Sequence, residues 1–374
     1  MKTFLISLLS AFSFFSFGQT PALHQHPAER AIRFPDLDSL LTLTADLHMH
    51  TVFSDGSVWP DIRVQEAVRD SLDAIAITEH LEYQPHKADI PHPDRNRAWQ
   101  VAEKSARPYK LIVIRGSEIT RDMPPGHSNA IFIEDANKLL LDDPVAVFRE
   151  AHRQGAFTFW NHPNWIAQRK DGVATMTDLH RQLIADTLLH GIEVVNDLTY
   201  SDEALQIALD YNLTLIGTSD IHGLVDWQYK VPEGGHRPVT LVFAEGRSLE
   251  AMKKALFERR TAVWFDNTLI AREREMQPLL KACISVEKAW YNGDSPVAYV
   301  TLANHSDAYF MLENLSGYTL HEHPDIVLLP PQSSLTLQVK TLEMLDEVRL
   351  RFKVWNAVTA PSQHPVMELV AEIK

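Results

Sequence analysis

Short apolar runs separated by amphipathic stretches fill the first two thirds of the chain. Runs at 43–49, 74–78, 111–114, 130–133, 156–160, 192–195, 214–217 and 239–243 read as buried parallel strands. Helical stretches lie between several of them. Pro60 and Asp61 open one that runs to about Ser71. Asp143 and Pro144 open another, VAVFREAHRQ, which Gly155 closes: proline at the first turn, glycine just past the end. SDEALQIALDY starts at a Ser/Asp cap, and SLEAMKKALFER is capped by Ser248. This strand–helix alternation predicts an α/β barrel or an open doubly wound sheet. No G-x-G-x-x-G follows the first strand and no Walker A sequence occurs, so a nucleotide-cofactor sheet is the weaker choice.

The pattern changes near residue 270. After a charged helical segment, 271–275, the segments ACISVEKAWY, VAYVTLANHS, SSLTLQVKT, LRFKVWNAV and PVMELVAEIK read as strands. Residues 276–374 are therefore expected to form a small antiparallel β-sandwich-like domain. Its Trp290, Tyr291, Tyr299, Tyr309 and Phe310 would be core, or else a face for a sugar or a partner.

At the other end, Lys2 precedes an apolar run from Phe4 to Phe17, with small Ser16 and Gly18 after it. This reads as a signal peptide over 1–18, so the chain is expected to be exported, periplasmic or extracellular. Residues 19–41 read as a leader packed on the barrel, and 42–270 as the barrel itself. No other run approaches ~20 apolar residues, so no stable membrane span is expected.

Composition narrows the chemistry. Cys283 is the single cysteine, which excludes an intramolecular disulfide and any thiolate cluster. A net charge of −14 argues against nucleic acid as partner. The 18 histidines matter chiefly by position. In ADLHMHTVFSDG, His48 and His50 are two apart on a strand and face one side, with Asp55 close behind. His80 ends the second strand and Glu118 the third. His127 stands just before or at the start of the fourth. His162 ends the fifth, and Asp220 and His222 follow the strand over 214–217. In an α/β barrel these ends form the functional rim. Histidines 86, 92, 152, 180 and 190 fall elsewhere and read as solvated or capping. Nine convergent side chains exceed the needs of one ion, so two or three divalent ions are expected. Imidazole with carboxylate suits zinc, manganese or iron.

These motifs resemble the PHP (polymerase and histidinol phosphatase) domain superfamily, from residue 45 to about 265. The resemblance rests on H-x-H with S-D-G, T-E-H at 78–80, N-H-P at 161–163, S-D-I-H at 219–222, and Glu118 with His127. It implies a distorted (βα)7 barrel. It also implies that His48, His50, Glu118 and Asp220 hold one ion. Asp55, His80 and His222 would hold a second. Glu118, His127 and His162 would hold a third, with Glu118 bridging. The signal peptide and β-rich tail look more like exported PHP phosphodiesterases than the biosynthetic or polymerase branches.

The expected activity is hydrolysis of small phosphodiesters by metal-activated water. Asp55, His80 and His222 form the catalytic group, the two histidines as possible proton carriers. Three divalent ions against three carboxylates leave about +3 charges for a small anionic phosphoester. Arg121, His236 and Arg237 are candidate substrate contacts. The alternatives are a phosphomonoesterase of histidinol-phosphatase type and a non-enzymatic metal-binding protein.

Overall fold

A computed structural model describes residues 31–374; the signal-peptide reading and leader residues 19–30 lie outside them. Eleven strands belong to the first part of the chain: β1 (Leu41–Asp46), β2 (Ala74–Ile77), β3 (Ile112–Ile119), β4 (Ser128–Ile131), β5 (Phe157–Trp160), β6 (Gly191–Asn196), β7 (Thr199–Tyr200), β8 (Thr214–Thr218), β9 (Val239–Ala244), β10 (Thr261–Phe265) and β11 (Thr268–Ala271). The helices are α1 (Pro60–Arg69), α2 (Arg97–Ala106), α3 (Pro144–Arg153), α4 (Asp178–Ala185), α5 (Asp202–Asp210), the short α6 (Val225–Gln228), α7 (Leu249–Phe257) and α8 (Glu273–Cys283). The expected caps form. Asp143, Ser201 and Ser248 each accept a hydrogen bond from the backbone N–H three residues on. Among the described residues no helix is long and apolar enough to cross a membrane.

The strands run in the order β11-β10-β9-β1-β2-β3-β4-β5-β6, with β8 paired to β6. The sheet curls until β8 returns to β1. Met49 and Ile221 form a parallel bridge there. His50 N–H donates to the Ile221 carbonyl (3.0 Å) and Asp220 N–H to the His48 carbonyl (2.9 Å). Lower down, Thr240 of β9 donates its hydroxyl to the Gly217 carbonyl and accepts from Gly217 N–H, at 2.8 and 3.0 Å. A Cβ on Gly217 would lie 2.2 Å from a methyl of Val263, so the closure requires glycine. The result is a distorted (βα)7-type barrel.

Two runs expected to be parallel are not. β4 is antiparallel to both β3 and β5, and β9 is antiparallel to β1. The segment 120–127 between β3 and β4 contains no helix, and a parallel return needs a long crossover. The inversion puts the start of β4, and so His127, on the rim where the other strands end.

Helix α8 runs further than the sequence suggested. Pro278 reads as a breaker, yet Met276, Leu279, Leu280 and Cys283 keep helical spacing and are fully buried. The β-domain therefore starts at residue 284. It has two four-stranded antiparallel sheets. One holds β12 (Ile284–Tyr291), β13 (Val297–Asn304), β15 (Thr319–His321) and β17 (Ser334–Lys340). The other holds β14 (Phe310–Asn314), β16 (Ile326–Leu329), β18 (Glu347–Val354) and β20 (Val366–Glu372). A short strand, β19 (Ala357–Val358), pairs instead with β11 of the barrel. One hydrophobic cluster runs from α1 and α2 through α8 into this sandwich. Of its five singled-out aromatics, Phe310 is core, Trp290 stacks on Tyr299 with half-buried rings 5.3 Å apart, and Tyr309 is exposed. Residues 31–40 pack between the two parts: Ile32 N–H donates to the Asp70 carbonyl and Arg33 N–H to Asp307.

Candidate metal centre

The nine singled-out side chains meet at the rim, several of them by a local device. His48 and His50 follow β1 with Met49 between them in the hydrophobic core, so strand alternation turns both imidazoles inward. Asp55 follows in a tight loop, where a Cβ on Gly56 would sit 2.7 Å from Thr51 N. His80 bridges to Glu118 as β2 and β3 end. His162 and Asp220 have positive φ, +29° and +48°, which costs strain in non-glycine residues and turns their side chains off the strand path.

Glu118 is fully buried at the centre. Its Oε1 is 3.1 Å from His127 Nδ1, 3.3 Å from His162 Nε2 and 3.5 Å from His48 Nε2. Its Oε2 is 2.6 Å from His80 Nδ1 and 3.6 Å from His50 Nε2. Asp220 Oδ1 lies 3.1 Å from His50 Nε2 and 3.2 Å from His48 Nε2. Asp55 meets His222 Nε2 at 3.1 Å and His80 Nε2 at 3.4 Å. Three groups thus bring donor atoms within 4.8 Å of one another: His48, His50 and Asp220; His50, Asp55, His80 and His222; and His80, Glu118 and His127. His50 and His80 each belong to two of them. His162 stands outside all three but touches Glu118.

The donor set fits divalent cations. Asp55 Oδ1, Glu118 Oε2 and Asp220 Oδ1 are buried and meet only imidazole nitrogens, without well-formed hydrogen bonds, and buried His162 Nδ1 has no hydrogen bond. Such orphaned acceptors are costly unless something positive meets them. Charge pairing shapes the site as well. Burial opposes ionisation of Glu118, Asp55 and Asp220, yet the surrounding imidazoles hold all three carboxyls below their ordinary values. Burial alone would lower His80, but Glu118 and Asp55 raise it to about 11; burial beside His80 lowers His50 to about 3. His48, His162 and His222 are likewise raised by the acids around them, against burial. A raised imidazole keeps its proton to higher pH, so a cation must displace that proton. Metal uptake should therefore release protons and tighten as pH rises. Titration calorimetry in two buffers of different ionisation enthalpy measures that release, and zero release would contradict the pairing.

The sequence reading missed the supports. Glu193, buried in β6, accepts from His48 Nδ1–H (2.8 Å), Thr218 Oγ1–H (2.6 Å), His162 N–H (2.7 Å) and Asn196 Nδ2–H (2.8 Å). It leaves His48 Nε2 aimed at Asp220 and Glu118, the usual role of a carboxylate behind a ligating histidine. The one visible signal is an acid inside the apolar strand GIEVVN. Glu79 accepts from Thr51 and Ser54 hydroxyls and holds the loop before Asp55. Buried Arg63 donates to the carbonyls of His50, Ile221 and Gly223, tying the first and last loops together.

The three candidate substrate contacts need correction. Arg237 is buried between Asp46 and Asp70, at 3.2 and 2.7 Å. His236 lies flat on Trp264, ring centroids 3.5 Å apart, in a separate cavity beside the β-domain. Arg121 pairs with Glu82 at 2.9 Å and donates to the Leu141 and Asp142 carbonyls. None lines the cleft over the nine residues. Among the other histidines, His180 caps α4 as expected, but His92 is buried and bonded to the Phe53 carbonyl.

Fold and site together define a β/α-barrel protein with a rim of His, Asp and Glu side chains suited to divalent metal. Comparison with known proteins agrees. The PHP domain model matches residues 46–222 and an Ig-like domain model matches 284–370. A two-domain protein from Bacteroides vulgatus, described as containing a predicted PHP-like metal-dependent phosphoesterase, is 41% identical; the match covers 91% of this chain and 98% of that one, with a TM-score of 0.85. This chain belongs to the PHP domain family. PsfC from Pseudomonas syringae is more distant, at 17% identity, 64% and 96% coverage and a TM-score of 0.42. No curated protein sequence matches the chain.

Proposed function

We propose that this chain is an exported metal-dependent phosphodiesterase for small phosphodiesters. The observation that carries this reading is the convergence of six imidazoles and three carboxylates on one rim, six of them buried and Asp55, Asp220 and His222 half-buried at its mouth. His48, His50, Asp220 and the bridging Glu118 would hold one ion. Asp55, His80 and His222 would hold a second, and Glu118, His127 and His162 a third. Zinc, manganese or iron suits these donors. Bound ions supply charge neutralisation at the phosphoryl oxygens and activation of water. The chain's own part is to fix the donors and line the cleft. His222 Nδ1 is 2.7 Å from the Asp220 carbonyl while its Nε2 faces Asp55. His80 has both nitrogens engaged likewise, by Thr120 and Glu118 on one side and Asp55 on the other. With no free ring nitrogen, both suit ligation better than proton transfer.

The cleft above the donors is about 490 Å³, and no lysine or arginine lines it among the described residues. Glu193 and Asp197 add two carboxylates near the floor. Three divalent ions then leave about +1 rather than +3 charges, which suits a singly charged diester better than a doubly charged monoester. Export rests on the apolar run from Phe4 to Phe17 alone.

The deciding experiment assays bis-(p-nitrophenyl) phosphate against p-nitrophenyl phosphate, with added zinc, manganese or iron and with chelator. Chelator-sensitive turnover that favours the diester is expected. A preference for the monoester would defeat the diester reading. Metal-independent turnover, or none at all, would defeat the enzyme.

A further inference from the structure

Two exposed aromatic rings stand at the cleft, and among the described residues no side chain covers their outer faces. Tyr83 and Trp165 are 52% and 44% exposed, and both line it. Each follows a rim histidine by three residues, in His80-Leu-Glu-Tyr83 and His162-Pro-Asn-Trp165. Tyr83 meets His80 edge-on, ring centroids 5.7 Å apart. Trp165 lies 5.1 Å from His162 and 5.6 Å from His127. A lone exposed aromatic is ordinary on a protein surface. Here two of them, from the loops after β2 and β5, flank one polar floor. The other lining side chains are polar or acidic. The cleft therefore offers an incoming ester two kinds of contact: charge at the floor and flat apolar faces at the walls.

We propose that the site selects phosphodiesters that carry a flat ring on one alcohol, with Tyr83 and Trp165 as the residues that recognise it. The inference rests on the phosphodiesterase reading above. The anionic phosphoryl group sits over the donors, and the ring lies against Trp165, Tyr83 or both. The cleft's size is within the usual range for a small ligand. Ring faces and edges attract at centroid separations of about 4.5–7 Å, and this attraction exceeds what buried area alone gives. Aliphatic groups of equal size lack it.

The test is equilibrium binding to the metal-loaded protein by titration calorimetry, using three diesters of equal charge: diethyl, dicyclohexyl and diphenyl phosphate. Diphenyl phosphate should bind about tenfold more tightly than either of the others. The double variant Tyr83→Ala/Trp165→Ala should erase that advantage while keeping metal content and diethyl phosphate affinity. Trp165→Phe should retain most of it. A nucleoside ethyl phosphate arm separates a nucleobase from a simple aryl ring, and tighter binding of either over diethyl phosphate supports the proposal. Equal affinities for diphenyl and dicyclohexyl phosphate would overturn it, because grease rather than ring shape would then decide. So would a double variant that weakens all three diesters alike. If no diester binds at all, the phosphodiesterase reading fails with it; if all bind equally, only the ring preference fails.

Discussion

Glu118→Gln should lower phosphoester turnover by about a thousandfold or more and strip metal from the protein. The substitution keeps the shape of the side chain and removes one charge. That charge stands within 3.6 Å of nitrogens on five histidines, 48, 50, 80, 127 and 162. No other rim carboxylate touches so many. A carboxylate there can face two ions at once, whereas a glutamine amide offers one oxygen and turns N–H groups toward any cation at the other. Losing several kcal/mol of charge stabilisation at the reacting phosphate corresponds to a rate loss of this order. Asn161 Nδ2 donates to Glu118 Oε1 at 2.8 Å, which pins the side chain and gives glutamine an acceptor position to occupy. The fold should therefore survive, as circular dichroism would show. Elemental analysis and kcat/KM are the deciding measurements. Full metal content with unchanged kcat/KM in this variant would remove Glu118 from the centre.

The second large effect is on stability. Arg237→Met should cost about 3–5 kcal/mol, because it leaves fully buried Asp46 without its cation and removes the ion pair to Asp70. Urea denaturation at pH 8 measures the loss. The pH dependence has a definite sign. Burial already raises the Asp46 carboxyl, and Arg237 is the main charge opposing that rise. Without Arg237 the folded pKa climbs further above its unfolded value. The folded state then holds a proton that the unfolded state releases, so stability falls as pH rises above the ordinary carboxylate range. The penalty should be largest at pH 8 and shrink toward pH 5. It should also reach the metal centre. Asp46 accepts from Ser219 N–H (3.1 Å) and Ser219 Oγ–H (2.6 Å), and Ser219 precedes Asp220. Weaker metal binding is expected alongside the lower midpoint. An unfolding midpoint equal to wild type at pH 8 would show that the pair contributes nothing.

Arg237 also marks where reading from sequence ran out. In GGHRP it looks like a loop cation free to meet phosphate. Its true partners lie far away in the chain, at the end of β1 and just past the end of α1, and only the closed barrel brings them to it. Glu193 failed in the opposite way. A single acid in a strand of apolar residues signals burial but not a role, and its meaning comes from four donors, three of them on other segments. Tyr83 and Trp165 likewise became notable only once both were seen on one cleft.

The amino-acid order by itself determined the nine rim side chains and the class of fold. Strand alternation of two residues and the placing of His, Asp and Glu at strand ends are local properties, and local properties are written in adjacent letters. Tertiary structure decided the rest. The reversal of β4 makes a strand start, and with it His127, share the rim with strand ends. Closure of β8 onto β1 sets Asp220 between His48 and His50. Both depend on contacts between residues distant in sequence, whose geometry is settled by packing and by pairing of buried charge rather than by any short-range pattern.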